Sequence, residues 1–196
     1  MKIMEACQVI SRVRGDSVLI STMRAMYAFD KLGEGQPRLS AVPLMGGAPS
    51  LGLGIALAKP QCKVIVVDGD ASLLMQLGGL VTVATQNPKN LYHFVMHNGT
   101  QFTGISNLPL PAGDSVDFAG LARSAGYKQA YVFSSLEEFE ASIDGILRQD
   151  GPVFTALRVE PDPPSYPEKP LKDFAEHHFT RMGDEARQLS RALASR

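Results

Sequence analysis

The 196 residues predict an α/β fold, a doubly wound and mostly parallel sheet with helices on both faces. Three observations predict it. Residues 63–67, 91–96 and 152–159 are near-continuous apolar runs without alternation, as expected of strands buried on both faces. Stretches of helical length and spacing separate such runs, which is how consecutive parallel strands are joined. The first two runs each end abruptly in a polar loop, Asp68-Gly69-Asp70-Ala71-Ser72 and His97-Asn98-Gly99-Thr100. In a parallel sheet both loops fall on the edge where ligands bind.

Taken in order, residues 2–13 place Ile3, Met4, Ala6, Cys7, Val9 and Ile10 at helical spacing, and Gly15-Asp16 closes that helix. Residues 17–20 read as a short strand. Ser21-Thr22 then caps a second helix through Met23, Ala25, Met26, Phe29 and Leu32, stopped by Gly33. Residues 39–42 form another short strand. Residues 43–58 hold small residues at a density that implies close backbone approach, to a ligand or to another element. The strand at 63–67 leads through Ala71 and Ser72 into one long helix, from Leu73 to about Gln86. After the 91–96 strand come a loop over 101–107 and an extended proline-rich stretch over 108–113. Asp117 opens a helix ended by Gly126, and residues 129–133 read as a strand. Ser134-Ser135-Leu136-Glu137-Glu138 is a capping-box start for a helix through Ile143 and Leu147, and the 152–159 strand completes the alternation. Beyond it Pro161, Pro163, Pro164, Pro167 and Pro170 mark a linker, and residues 174–196 predict a terminal helix, expected to pack on a partner subunit. Its adjacent His177 and His178 are not spaced as two ligands on one helix face and read as solvated or interfacial.

Composition narrows the function classes. Hydrophobic residues at 44% and charged residues at 20% are ordinary for a soluble globular domain long enough to bury a core. A net charge of −1, from 19 basic and 20 acidic residues, leaves no basic face for nucleic acid. No apolar stretch reaches membrane-spanning length, and the first residues lack the apolar core of a signal peptide. Cys7 and Cys62 are too few for a disulfide framework, a four-cysteine zinc site or an iron–sulfur cluster. Both are expected reduced and buried, in a cytoplasmic protein.

The two polar loops carry the chemistry. Asp70 offers a hard anionic oxygen and Asn98 a neutral one, a pair that suits Mg2+ or Ca2+; Mg2+ in particular is commonly shared with substrate phosphates. The backbone N–H groups of Ala71 and Ser72, at a helix start, point at an anion there, and the Ser72 hydroxyl adds a donor. Asp-Gly-Asp alone is often only a turn with a helix cap, and Asn-Gly is a common turn dipeptide. Two such loops on successive strand ends are a much rarer coincidence.

Gly69-Asp70-Ala71, followed 28 positions after Asp70 by Asn98, resembles the thiamine-diphosphate motif that runs from GDG to a distant asparagine. The wider run GDASLLMQLGGL and then HNGTQFTG is most similar to the small β subunits of sulfopyruvate and phosphonopyruvate decarboxylases. The resemblance implies the diphosphate-binding (PP) domain of that fold, with thiamine diphosphate held through Mg2+ by the Asp70 and Asn98 side chains and the Thr100 carbonyl. It places Gly69, Ala71, Ser72, Gln101 and Phe102 around the diphosphate or substrate. Met45, beside Gly46, falls where the family props the cofactor into its bent conformation. Pro43 and Leu44 replace the usual Gly-Ser there, Ala71 replaces the third motif glycine, and His97 stands where many members have a first asparagine. Ser21 and Thr22 are weaker candidates near the aminopyrimidine end, where helix capping is the commoner role.

The same resemblance implies a catalytic glutamate on a separate α subunit that carries the pyrimidine-binding domain, with the active site at the junction. Residues 1–160 are then the diphosphate-binding domain and 161–196 a linker and helical extension. The expected activity is decarboxylation of a small 2-oxo acid bearing a second anionic group, met by His97, Gln101 or Arg24, with little activity in this chain alone. A carboligating subunit similar to acetolactate synthase and a non-catalytic phosphate-binding or regulatory α/β subunit are the alternatives.

Overall fold

The computed structural model describes residues 1–41, 44–111, 113–164 and 172–194, with the backbone alone at 114 and 172–178. Pro43 lies outside the described residues, as do the side chains of His177 and His178. Six strands form one sheet: β1 (Val18–Ser21), β2 (Arg38–Ser40), β3 (Val64–Gly69), β4 (Leu91–His97), β7 (Gln129–Phe133) and β8 (Val153–Arg158). Their order is β2-β1-β3-β4-β8-β7, and every pairing is parallel. The chain leaves β1 toward one edge and returns through β3 toward the other. The loops after β1 and β3 therefore diverge, which opens a crevice at the C-terminal ends of these strands.

Alternate strand residues feed two cores, as the two-residue period of a strand requires. On one face Val18, Ile20, Val64, Val66, Leu91 and Val95 pack under α3 (Ala48–Ala58), α5 (Gly79–Gln86) and α6 (Phe118–Ala125). On the other, Leu19, Ile65, Val67, Tyr92 and Phe94 pack under α1 (Ile3–Val13), α2 (Met23–Lys31) and α7 (Leu136–Ile146). The expected caps at α6 and α7 form: Asp117 accepts from the Gly120 N–H, and Ser135 from that of Glu138. Cys7 and Cys62 are both buried and free.

Three expectations are corrected. The long helix from Leu73 to Gln86 is two helices, α4 (Asp70–Met75) and α5, because Gln76 leaves helical geometry at φ −141°, ψ 49°. Gly78 and Gly79 follow, each worth roughly 1 kcal/mol less than alanine in a helix interior. Residues 101–107 are not all loop: β5 (Thr100–Gln101) pairs antiparallel with β6 (Leu108–Pro109) as a small hairpin. The terminal helix α8 (Lys172–Ala194) packs on its own chain, where Leu189 and Leu193 join the core beside β2. Glu185 fixes it there by accepting the Ser40 N–H at 2.6 Å, while Arg181 and Arg38 both pair with Asp30. An exposed sheet edge invites strand pairing with other molecules, and α8 covers the β2 edge.

Candidate functional site

β3 and β4 are adjacent and in register, Gly69 opposite Met96, so the Asp70 and Asn98 loops meet at the C-terminal edge of the sheet. The Asp70 carboxylate is 1% exposed. Oδ1 accepts from the Ala71 N–H at 2.8 Å and Oδ2 from the Gly99 N–H at 2.7 Å, so the side chain itself ties one loop to the other. Burial pushes its pKa up from the usual 3.8 to about 6, and the N–H groups of Gly99 and Ala71 oppose that rise. A buried anion whose donors do not offset its desolvation favours a cation at its remaining lone pairs.

Asn98 turns its Oδ1 onto Thr100, accepting the backbone N–H at 2.8 Å and the hydroxyl at 3.0 Å. The amide oxygen is thus aimed back along the loop that carries the Thr100 carbonyl. Among the described residues no group of three His, Cys, Asp or Glu side chains gathers around a common point. One carboxylate with neutral oxygens nearby is a hard-oxygen donor set, which suits Mg2+ completed by phosphate and not Zn2+.

The remaining predicted residues divide between this mouth and its walls. Gln101 is half-buried at the hairpin, and Phe102 is 58% exposed at φ +51°, on the lip of the loop. The Phe102 carbonyl accepts from the N–H groups of Ile105, Ser106 and Asn107, which folds 102–107 into a tight turn. Met45 is half-buried and precedes Gly46, whose N–H donates to Ser72 Oγ at 2.7 Å. Gly46, at φ +83°, leaves no room for a side chain: a Cβ would stand 2.5 Å from Gln76 Cβ and 2.9 Å from the Ser72 carbonyl. The small-residue stretch is therefore packing against other elements: Gly46 presses on α4 and Gly52 on Val66 of β3.

Several expected roles change. Ser72 is 1% exposed and holds the Gly46 loop against α4, and the Ala71 N–H is engaged by Asp70. The Gly69 N–H likewise turns to Asp68 Oδ1 at 2.8 Å. His97 is 4% exposed, its ring edge-on to Phe118 at 4.8 Å, so it is part of the wall beneath the loop and not of the mouth. Thr22 donates to the Ala41 carbonyl and Ser21 is fully buried, so neither faces the crevice.

The sequence reading missed a buried polar pair under the site. Asp68 belongs to β3, not to the loop, and its Oδ2 lies 3.8 Å from His93 Nε2, with both residues 1% exposed. His93 Nδ1 lies 3.4 Å from the Tyr127 hydroxyl, and burial raises the Tyr127 pKa. The signal was a histidine in the middle of an otherwise apolar strand.

Comparison with known proteins agrees with this geometry. The family model described as thiamine pyrophosphate enzyme, C-terminal TPP binding domain, matches residues 21–157. A phosphonopyruvate decarboxylase of Streptomyces hygroscopicus is 36% identical over 71% of this chain but only 33% of its own length. The sulfopyruvate decarboxylase subunit beta of Methanothermobacter thermautotrophicus is 34% identical over 80% of this chain and 81% of its own. This chain thus spans about a third of the decarboxylase from Streptomyces and most of the archaeal β subunit. Among solved structures, a Mycobacterium smegmatis protein assigned to the thiamin diphosphate-dependent enzymes superposes with a TM-score of 0.69 at 19% identity, over 82% of this chain and 32% of that one. No helix among the described residues is long and apolar enough to cross a membrane. With the motif loops joined at one sheet edge and the family model running from the last residue of β1 to near the end of β8, the chain belongs to the thiamine pyrophosphate enzymes, as their C-terminal TPP-binding domain.

Proposed function

We propose that this chain is the β subunit of a two-subunit, thiamine-diphosphate-dependent 2-oxo acid decarboxylase of the sulfopyruvate or phosphonopyruvate type. One observation carries the reading: the buried Asp70 carboxylate, tied to Gly99, stands beside Asn98 and Thr100 at the ends of β3 and β4. In this reading Asp70, Asn98 and the Thr100 carbonyl would hold Mg2+, through which the loops would anchor the cofactor diphosphate. Thiamine diphosphate, when bound, supplies the electron sink that lets a 2-oxo acid lose CO2. The chain's own part is positional. The Asp70 link to Gly99 fixes the spacing of the two loops, Ser72 and Gly46 lock the Met45 turn onto α4, and the exposed Phe102 is available to meet the diphosphate or the substrate.

An α subunit supplies the pyrimidine-binding domain and its glutamate, so the active site is shared and this chain is inactive alone. Residues 1–160 serve as the diphosphate-binding domain and 161–196 as linker and terminal helix, and the enzyme works in the cytoplasm. The test is CO2 release from sulfopyruvate, phosphonopyruvate and pyruvate by the chain with its α partner. Release is expected only with both subunits and with a dianionic substrate, and Asp70→Ala abolishes it. Release by this chain alone overturns the shared site. Consumption of two 2-oxo acids into one longer product identifies a carboligase, and no turnover of any substrate by the assembled pair points to a regulatory subunit.

A further inference from the structure

Arg24 opens α2 just beyond the C-terminal end of β1, and its guanidinium reaches Asp162, in the segment that follows β8. Nε donates to Asp162 Oδ2 at 2.8 Å, and one terminal nitrogen donates to the same oxygen. The Asp162 main chain is engaged separately. Its N–H donates to Thr103 Oγ1 at 3.1 Å, and its carbonyl accepts from Asn107 Nδ2 at 2.9 Å. The 102–107 turn, which begins two residues after Thr100, is thereby laced to Asp162. Gly104 lies against the guanidinium: at φ +79°, a Cβ there would stand 3.1 Å from Arg24 Nη2 and 3.3 Å from Asp162 Cβ. Two constraints, backbone and space, hold that contact open for the arginine.

We propose that Arg24 selects for a second acid group on the substrate, and that the Asp162 carboxylate occupies its guanidinium until that group arrives. The inference rests on the decarboxylase reading and gives it a specificity residue. Arginine recognises carboxylate, sulfonate and phosphonate with two parallel N–H donors, one to each of two oxygens, and Asp162 occupies that donor edge, Nε and one terminal nitrogen, through a single oxygen. The pair is displaceable, since the Arg24 and Asp162 side chains are 43% and 36% exposed and ion pairs this exposed to water contribute little. Displacement also leaves the turn intact, because its links to Asp162 run through the main chain and not through the carboxylate.

The test uses the chain assembled with its α partner, thiamine diphosphate and Mg2+, and follows the Arg24 Nε–H resonance by NMR as sulfoacetate, phosphonoacetate or acetate is added. The two diacids are expected to shift it saturably and acetate about tenfold more weakly. Arg24→Gln abolishes diacid binding. Asp162→Asn tightens it by roughly two- to fivefold, because the internal competitor is gone while the main-chain links remain. Glu160→Gln removes an equal charge two residues away, from a side chain 69% exposed, and leaves the affinity within about twofold. A structural latch would make Arg24→Gln and Asp162→Asn act in the same direction, and weaker binding in Asp162→Asn, or a change no larger than in Glu160→Gln, overturns the proposal. If the two variants move binding in opposite directions while thiamine diphosphate itself fails to bind, the anion seat stands and the decarboxylase reading falls. If the cofactor binds and the opposite signs are missing, this inference alone falls.

Discussion

Asp70→Asn separates what the site requires from what the fold prefers. The wild-type carboxylate is 1% exposed, and burial lifts its pKa from 3.8 to about 6. Between those values the folded chain holds a proton that the unfolded chain has lost. The metal-free chain therefore has its full stability below about pH 4 and loses it as pH rises through about 6. Two pKa units correspond to about 3 kcal/mol lost across that window. The amide in Asp70→Asn does not ionise, so this loss disappears. Against it stands one hydrogen bond, since the Ala71 and Gly99 N–H groups both need an acceptor and the amide nitrogen faces one of them. That mismatch costs about 1–3 kcal/mol. At pH 7.5 the variant is thus expected to be as stable as the wild type or up to about 2 kcal/mol more stable. Urea unfolding in EDTA at pH 4.5, 5.5, 6.5 and 7.5 measures both chains, and their difference cancels every other titrating group. A difference that stays constant across the window, or a wild type that gains on the variant as pH rises, refutes the reasoning.

Two other predictions concern the frame around the site. His93→Leu removes an imidazole 3.8 Å from Asp68 Oδ2, beyond hydrogen-bond distance, together with its 3.4 Å contact to the Tyr127 hydroxyl, and is expected to cost about 1 kcal/mol in urea unfolding. Adding Asp68→Asn recovers part of that loss, and additive effects in the double-mutant cycle count against a coupled pair. Glu185→Ala orphans the Ser40 N–H and breaks the charge cluster with Arg181, at about 2 kcal/mol. Hydrogen exchange at Ser40 is expected to accelerate, and unchanged protection contradicts the anchoring of α8 through this contact.

What was legible in the sequence was local. The strands at 63–67 and 91–96 announced themselves as apolar runs, and Asp70 and Asn98 stood at their ends in a linear motif that parallel pairing of β3 and β4 brings together. The break between α4 and α5 was legible too, in Gly78-Gly79, but the apolar spacing masked it. Contacts made across the fold were not legible. Asp68 and His93 lie diagonally on neighbouring strands, so no single stretch shows the pair. Arg24 and Asp162 are 138 positions apart, and Glu185 finds Ser40 from 145 away. Ser72 and His97 were misread for a related reason. A polar residue beside a motif looks available for ligand, whereas packing had already committed it to Gly46 or to Phe118.

The account rests on a diphosphate-binding, metal-dependent site at Asp70 and Asn98. Its most direct test is a thermal-shift titration of the chain assembled with its α partner, with thiamine diphosphate and Mg2+, set beside thiamine, ADP and each component alone. A ligand that binds only the native state raises the melting temperature by mass action. The account predicts a rise that needs both thiamine diphosphate and Mg2+, exceeds that with ADP and vanishes in Asp70→Ala and Asn98→Ala. A rise with ADP as large as with thiamine diphosphate, or a thiamine diphosphate response that survives both substitutions, would contradict it.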